Sequence, residues 1–134
     1  MIAADASVAI ASFAPWHEHQ YVAQTALGPR PAIIAHAAFE TYSVLTRLPE
    51  GQRAPAALVV EQLSDRFSDR WLSLSASALQ LALNRLEELG IWGGATYDGL
   101  IAMTAAAEGA TLVTLDRRAR RTYALVGADV ELVA

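Results

Sequence analysis

Apolar residues along the chain fall into short continuous runs separated by longer amphipathic segments. Continuous apolar runs of this length are typical of parallel strands that are buried on both faces. The pattern predicts four strands, at MIAADA (1–6), RPAIIA (30–35), TLVTL (111–115) and VELV (130–133), and a brief fifth strand at WLSLSA (71–76).

The segments between these runs have helical spacing and helix punctuation. Pro15 precedes the first and Gly28 ends it, while Ser77 is the candidate cap of a later helix that Gly90 ends. Helices are predicted over 17–28, 36–48, 54–67, 77–90, 97–109 and 117–127. Alternating strands and helices with short connections predict one α/β domain over 1–134, with a parallel sheet covered by helices on both faces.

Composition narrows the class of protein. The 134 residues lack cysteine, which excludes disulfides and thiolate metal sites. No basic residue precedes Arg30, and no apolar run approaches a membrane span, so we expect a soluble cytoplasmic protein. A net charge of −4 argues against binding of nucleic acid through the overall charge of the protein. All ten Lys and Arg residues are arginine.

Four carboxylates stand out by their placement. Asp5 and Asp116 close predicted strands, and the carboxyl ends of parallel strands meet at one rim of a sheet, where ligands bind. Glu40 and Asp98 lie near the starts of predicted helices among apolar residues. Each has an ordinary alternative: Asp116 as a helix cap, Asp98 as a partner of the helix dipole, and Glu40 on an exposed polar face. Asp5 is the hardest to explain this way, because an unpaired buried acid costs several kcal/mol.

Four converging carboxylates would repel one another and require a cation. Hard oxygen ligands select Mg²⁺ or Mn²⁺, and such an ion supports attack of water on phosphorus in line with the leaving oxygen. The constellation therefore favours metal-dependent phosphodiester hydrolysis.

The order and spacing of the acids resemble a known family. Asp5-Ala6-Ser7, Glu40 in FETYSVLTRL, Asp98 in YDGLIAMTAAAEGATLVT and Thr114-Leu115-Asp116 resemble the motifs of PIN-domain nucleases. The length and the terminal GATLVTLDRRAR…YALVGADVELV resemble the VapC-type toxins of bacterial toxin–antitoxin pairs. The resemblance implies an α/β/α sandwich and a Mg²⁺- or Mn²⁺-dependent endoribonuclease. It also implies a homodimer inhibited by a cognate antitoxin, whose tail we expect to place a basic side chain in the acidic site.

The resemblance also implies roles for individual residues. The metal-binding and catalytic acids would be Asp5, Glu40 and Asp98, with Asp116 at a fourth, more variable position, and the supporting hydroxyls would be Ser7 and Thr114. The sequence departs from the family pattern at the first motif, where Ala6-Ser7 replaces the more usual Thr-Asn. That departure concerns the residues that support the metal ligand rather than the ligand itself.

The arginines after Asp116 are candidate contacts for RNA phosphates. Residues four apart share a helix face, so Arg117 and Arg121 are the better pair. The histidines at 17, 19 and 36 receive no catalytic role.

Two other classes of function compete with this prediction: a binding module and a different acidic α/β enzyme. A catalytically inactive PIN-like module that binds RNA or protein is the main alternative. A receiver domain would need a lysine and a dehalogenase-type phosphatase a second aspartate at position 7, so both fit poorly.

Overall fold

A computed structural model describes residues 1–134 and contains one five-stranded sheet. All strand pairs are parallel, and the strand order is β3-β2-β1-β4-β5. The strands are β1 (Ile2–Ala4), β2 (Ala32–Ile34), β3 (Trp71–Leu72), β4 (Thr111–Thr114) and β5 (Asp129–Leu132). The predicted α/β sandwich with a central parallel sheet is confirmed.

Seven helices flank the sheet. They are α1 (Ala6–Phe13), α2 (Gln20–Leu27), α3 (Ala35–Arg47), α4 (Ala56–Phe67), α5 (Ala76–Glu88), α6 (Thr96–Ala107) and α7 (Ala119–Val126), and a 3₁₀ turn over Gly93–Ala95 leads into α6. None of them is long and apolar enough to cross a membrane.

The core forms where the central strands meet the helices. The strand residues Ala3, Ala32, Leu112 and Val113 have no exposed surface. Small side chains in β1 allow α1 and α3 to pack closely, and 24 buried residues form one apolar cluster. Burial on both faces explains why these strands are continuous apolar runs in the sequence.

The helix α1 was not predicted. The segment after Asp5 is almost entirely apolar and shows little helical periodicity, so the sequence between 7 and 14 suggested no element. Asp5 is nevertheless the N-cap of α1, because its side chain accepts a hydrogen bond from the backbone N–H of Val8. Strand β1 therefore passes directly into a helix at the position of this acid.

Several predicted boundaries were wrong by a few residues. Ser75 rather than Ser77 caps α5, since the Ser75 hydroxyl accepts from the N–H of Ala78 at 3.1 Å. Strand β3 spans two residues rather than six. Helix α7 begins at Ala119, two residues later than predicted, because residues 117–118 form a turn.

Glycine permits a close approach between α5 and α6. A Cβ added at Gly99 would clash with Cδ2 of Leu86 and would lie 3.2 Å from Cγ2 of Ile91. A larger residue at this point would require the side chains of Leu86 and Ile91 to shift. Because Gly99 follows Asp98, this approach helps to set where that acid lies.

Candidate active site at the carboxyl ends of the strands

Asp5 directly follows β1, the middle strand of the sheet, and lies next to the neighbouring strand β4. Its N–H donates to the carbonyl of Val113 on the neighbouring strand at 3.4 Å. The residue is 2% exposed. Burial raises the pKa of the Asp5 carboxyl, although hydrogen bonds from Ser7, Thr114, Val8 and Tyr123 act in the opposite direction. An acid held here without a cation is therefore under electrostatic strain.

Ser7 and Thr114 connect the Asp5 carboxyl to the end of β4. The Ser7 hydroxyl donates to Oδ1 of Asp5 at 2.6 Å and accepts from the N–H of Leu115 at 2.9 Å. It also lies 3.3 Å from the hydroxyl of Thr114, which in turn accepts from the N–H of Asp116 at 3.0 Å. These contacts join the ends of β1 and β4 and orient the Asp5 carboxyl.

Tyr123 contributes a contact that the sequence analysis missed. Its hydroxyl donates to Oδ2 of Asp5 at 2.9 Å, and the residue is 1% exposed. Burial, followed by the charge of Asp5, raises the pKa of the Tyr123 hydroxyl above its usual value, so this group remains a donor. The sequence signal that could have identified Tyr123 as buried was its helical spacing, because Ala119, Thr122 and Tyr123 form the buried face of α7.

Glu40 faces the site from α3. Its Oε1 atom is buried and has no hydrogen-bond partner in the protein. Burial, followed by the charge of Asp5, raises the pKa of the Glu40 carboxyl. A buried carboxylate oxygen without a donor is costly, and a cation would remove that cost.

Asp98 lies in the first turn of α6 and is half-buried. Burial raises its pKa to about 6, with further contributions from the charges of Asp116, Glu40 and Asp5. Repulsion from three other acids means that the four carboxylates share one region of negative potential.

Asp116 is exposed at the rim and also caps the turn that follows β4. Its Oδ1 accepts from the N–H groups of Arg118 and Ala119 at 2.9 and 3.1 Å. Asp116 thus caps the turn that leads into α7 rather than the helix itself, whose N-cap is Arg118. This contact is compatible with a role at the site because Oδ2 makes no hydrogen bond within the chain.

The carboxylates repel one another, but they are not arranged as a finished metal-binding set. No group of three or more His, Asp or Glu side chains has the geometry to hold a metal ion. Charge repulsion acts over longer distances than metal–ligand bonds. The carboxylates can therefore repel one another without being close enough together to coordinate one ion. Mg²⁺ takes only one or two carboxylates directly and keeps several waters. The hard oxygen donors and the unpartnered Oε1 of Glu40 therefore fit such an ion.

The predicted arginine pair is not supported by the geometry. Arg117 precedes α7, so it does not share a helical face with Arg121, and its guanidinium donates to the backbone carbonyl of Ala134 at 3.0 Å. Arg117 and Arg118, in contrast, line an open depression together with Ser7 and Asp116. The cations nearest the acidic site are thus in the turn before the helix.

Comparison with known proteins agrees with this architecture. Residues 2–125 match the PIN domain family. With the parallel sheet and the acids at its carboxyl edge, this match shows that the chain belongs to the PIN-domain family.

Two relatives make the placement within the family more specific. Ribonuclease VapC40 of Mycobacterium tuberculosis is 47% identical over 133 residues, which is 99% of each chain. Ribonuclease VapC27 of M. tuberculosis H37Rv is 38% identical over 134 residues, covering 99% of this chain and 97% of that protein. The resemblance to VapC-type proteins is confirmed over the whole length.

Solved structures extend the similarity of fold. FitAcB from Neisseria gonorrhoeae has a TM-score of 0.68 at 20% identity, covering 97% of this chain and 96% of that chain. FitAB bound to an IR36 DNA fragment has a TM-score of 0.71 at 19% identity, covering 98% and 94%. At these identities the likeness concerns the fold alone.

Proposed function

We propose that the protein is a Mg²⁺- or Mn²⁺-dependent endoribonuclease that acts as the toxin of a toxin–antitoxin pair. The observation that carries the proposal is the group of four mutually repelling carboxylates, one of them with a buried oxygen that lacks a partner. The full-length similarity to two proteins named ribonucleases supports RNA as the substrate.

In this proposal Asp5, Glu40, Asp98 and Asp116 hold the divalent ion. When bound, such an ion neutralises charge on the phosphodiester and favours attack by water in line with the leaving oxygen. Asp5 needs little reorganisation, because hydrogen bonds already fix both of its oxygens. Glu40 and Asp98 lack such restraints and are the acids expected to move when the ion binds.

The neighbouring residues position the acids and the RNA. Ser7 and Tyr123 orient the Asp5 carboxyl through their hydroxyls. Arg117 and Arg118 border the depression beside Asp116, where a phosphate would find cationic partners. Arg121 remains a weaker candidate, since it lies on α7 and does not line this depression.

The test is cleavage of total RNA by the purified protein in Mg²⁺ or Mn²⁺, with EDTA as the metal-free reaction. Asp98→Asn should abolish cleavage, while Asp65→Asn, an exposed aspartate on α4, should cleave normally. Metal binding measured by calorimetry gives a second readout. Neither cleavage nor metal binding would favour the inactive binding module instead.

We propose that a cognate antitoxin binds next to the acidic site and that the protein forms a homodimer. An apolar groove of about 310 Å³ is lined in part by the exposed Phe39, Val60 and Trp71, and Phe39 directly precedes Glu40 on α3. Such a surface suits a protein partner, and the adjacent acids suit a basic side chain from it. Light scattering of the protein alone and after co-expression should show a dimer and a larger complex, and a lone monomer in both cases would contradict this.

A further inference from the structure

Two aromatic rings stack on each other at the surface of the molecule. The imidazole of His36 and the phenol ring of Tyr97 have centroids 4.7 Å apart and planes inclined by only 7°. Tyr97 remains 56% exposed, so His36 covers one face of the ring and much of the remainder is open to solvent.

The pair is attached to the same two helices as two acids of the site. Tyr97 directly precedes Asp98 at the start of α6, which places their Cα atoms about 3.8 Å apart. His36 lies one turn before Glu40 on α3, so these side chains share a face with Cβ atoms about 5–6 Å apart. The stacked rings therefore lie at the edge of the acidic site.

An open groove borders Tyr97. Its volume is about 370 Å³, and the other walls are mainly leucines of α5 and α6: Leu79, Leu83, Leu86 and Leu100. His36 does not line this groove, whereas Tyr97 both borders the groove and stacks on the imidazole. A flat apolar group can enter here and meet an aromatic ring that is already held in place.

Electrostatics explains why such a platform is useful. RNA phosphates approach an acidic site in a protein whose net charge is −4, so charge attraction contributes little to holding the substrate. Stacking of a nucleobase on an aromatic ring does not depend on charge, and unpaired bases of RNA are commonly held this way.

We propose that Tyr97, backed by His36, is the stacking platform for an unpaired nucleobase next to the scissile phosphate. This inference rests on the proposed ribonuclease function. Tyr97 acts as a substrate-positioning residue, and His36 acts through it by fixing the plane of the ring. Neither residue takes part in the bond-breaking step.

The test compares binding of two fluorescein-labelled single-stranded 12-mers, oligoadenylate and an abasic ribose-phosphate strand. Anisotropy titrations in Mg²⁺ use the Asp98→Asn protein, so that the RNA stays intact. Adding Tyr97→Leu should weaken binding of oligoadenylate by roughly 5- to 150-fold and leave the abasic strand unchanged. Tyr97→Phe should retain the affinity, and the loss in Tyr97→Leu should persist at raised salt.

The matched control is Tyr21→Leu, which removes an 80% exposed tyrosine of α2 that stacks on no ring. Equal weakening of both strands by Tyr97→Leu would mean that the ring only packs α6 against α3, and would overturn the inference. No change in the binding of either strand would also overturn the inference. If the wild type still cleaved total RNA, the proposed ribonuclease function would be unaffected by that result. Absence of both RNA cleavage and RNA binding in all variants would overturn both.

Discussion

Neutralising Asp98 should stabilise the metal-free protein at neutral pH. The carboxyl pKa rises from 3.8 to about 6 on folding, so the folded state favours the protonated form. The contribution of the Asp98 carboxyl to the free energy of unfolding is therefore fully present below the unfolded pKa of 3.8 and is lost as pH rises toward 6. Asp98→Asn removes that loss.

The magnitude follows from the shift. A difference of about two pKa units corresponds to about 3 kcal/mol, which we reduce to about 1.5 kcal/mol because the group is half-exposed and screened by solvent. The dipole of α6 favours the ionised form by about 0.3–1 kcal/mol, which lowers the net gain further. We therefore expect Asp98→Asn to be about 1 kcal/mol more stable at pH 7.5, or about 3–4 °C in Tm for a domain of this size.

The assay is thermal unfolding in EDTA, followed by circular dichroism from pH 4.5 to 8. The difference between variant and wild type should be smallest at pH 4.5, grow as pH rises toward 6 and level off above 6. Asp65→Asn should follow the wild type within a few tenths of a kcal/mol. In millimolar Mn²⁺ the order should reverse, because metal binding stabilises only the protein that keeps the acid. A variant that is less stable than wild type in EDTA at pH 7.5 would refute the reasoning.

Four further substitutions test other parts of the structure. Tyr123→Phe removes the buried donor to Asp5 and should cost about 1–3 kcal/mol of unfolding free energy, together with weaker Mn²⁺ binding by calorimetry. Ser75→Ala should destabilise by about 1 kcal/mol and Ser77→Ala by much less in urea unfolding, and the reverse order would contradict the assigned cap. Gly99→Ala requires Leu86 and Ile91 to repack around the added methyl group and should cost about 1–3 kcal/mol in the same measurement, and an unchanged midpoint would show that the contact relaxes freely.

The fold could be predicted because its sheet is parallel and central. Burial on both faces produces continuous apolar runs, and acids that close such runs must meet at one edge. That rule places Asp5 and Asp116 at the same rim on sequence grounds alone. Glu40 and Asp98 needed the family resemblance, because helix starts contain acids for ordinary reasons as well.

Other features depend on tertiary contacts that leave little trace in the sequence. Helix α1 is apolar on nearly all sides, so it has no amphipathic pattern, and only the cap at Asp5 marks its start. Tyr123 lies 118 residues from the acid it contacts, and no local pattern encodes such a pair. The turn at 117–118 delays α7 because Asp116 binds the N–H groups of that turn.

The parallel sheet also has a practical consequence for preparing the protein. Strand β5 runs alongside β4, so the residues after it emerge at the acidic rim, where the carbonyl of Ala134 meets Arg117. Met1 lies at the opposite edge, where its carbonyl accepts from the N–H of Thr111. A polyhistidine tag added after Ala134 would place competing metal ligands beside the site, and a tag before Met1 would not. Metal titrations should therefore use the amino-terminal fusion.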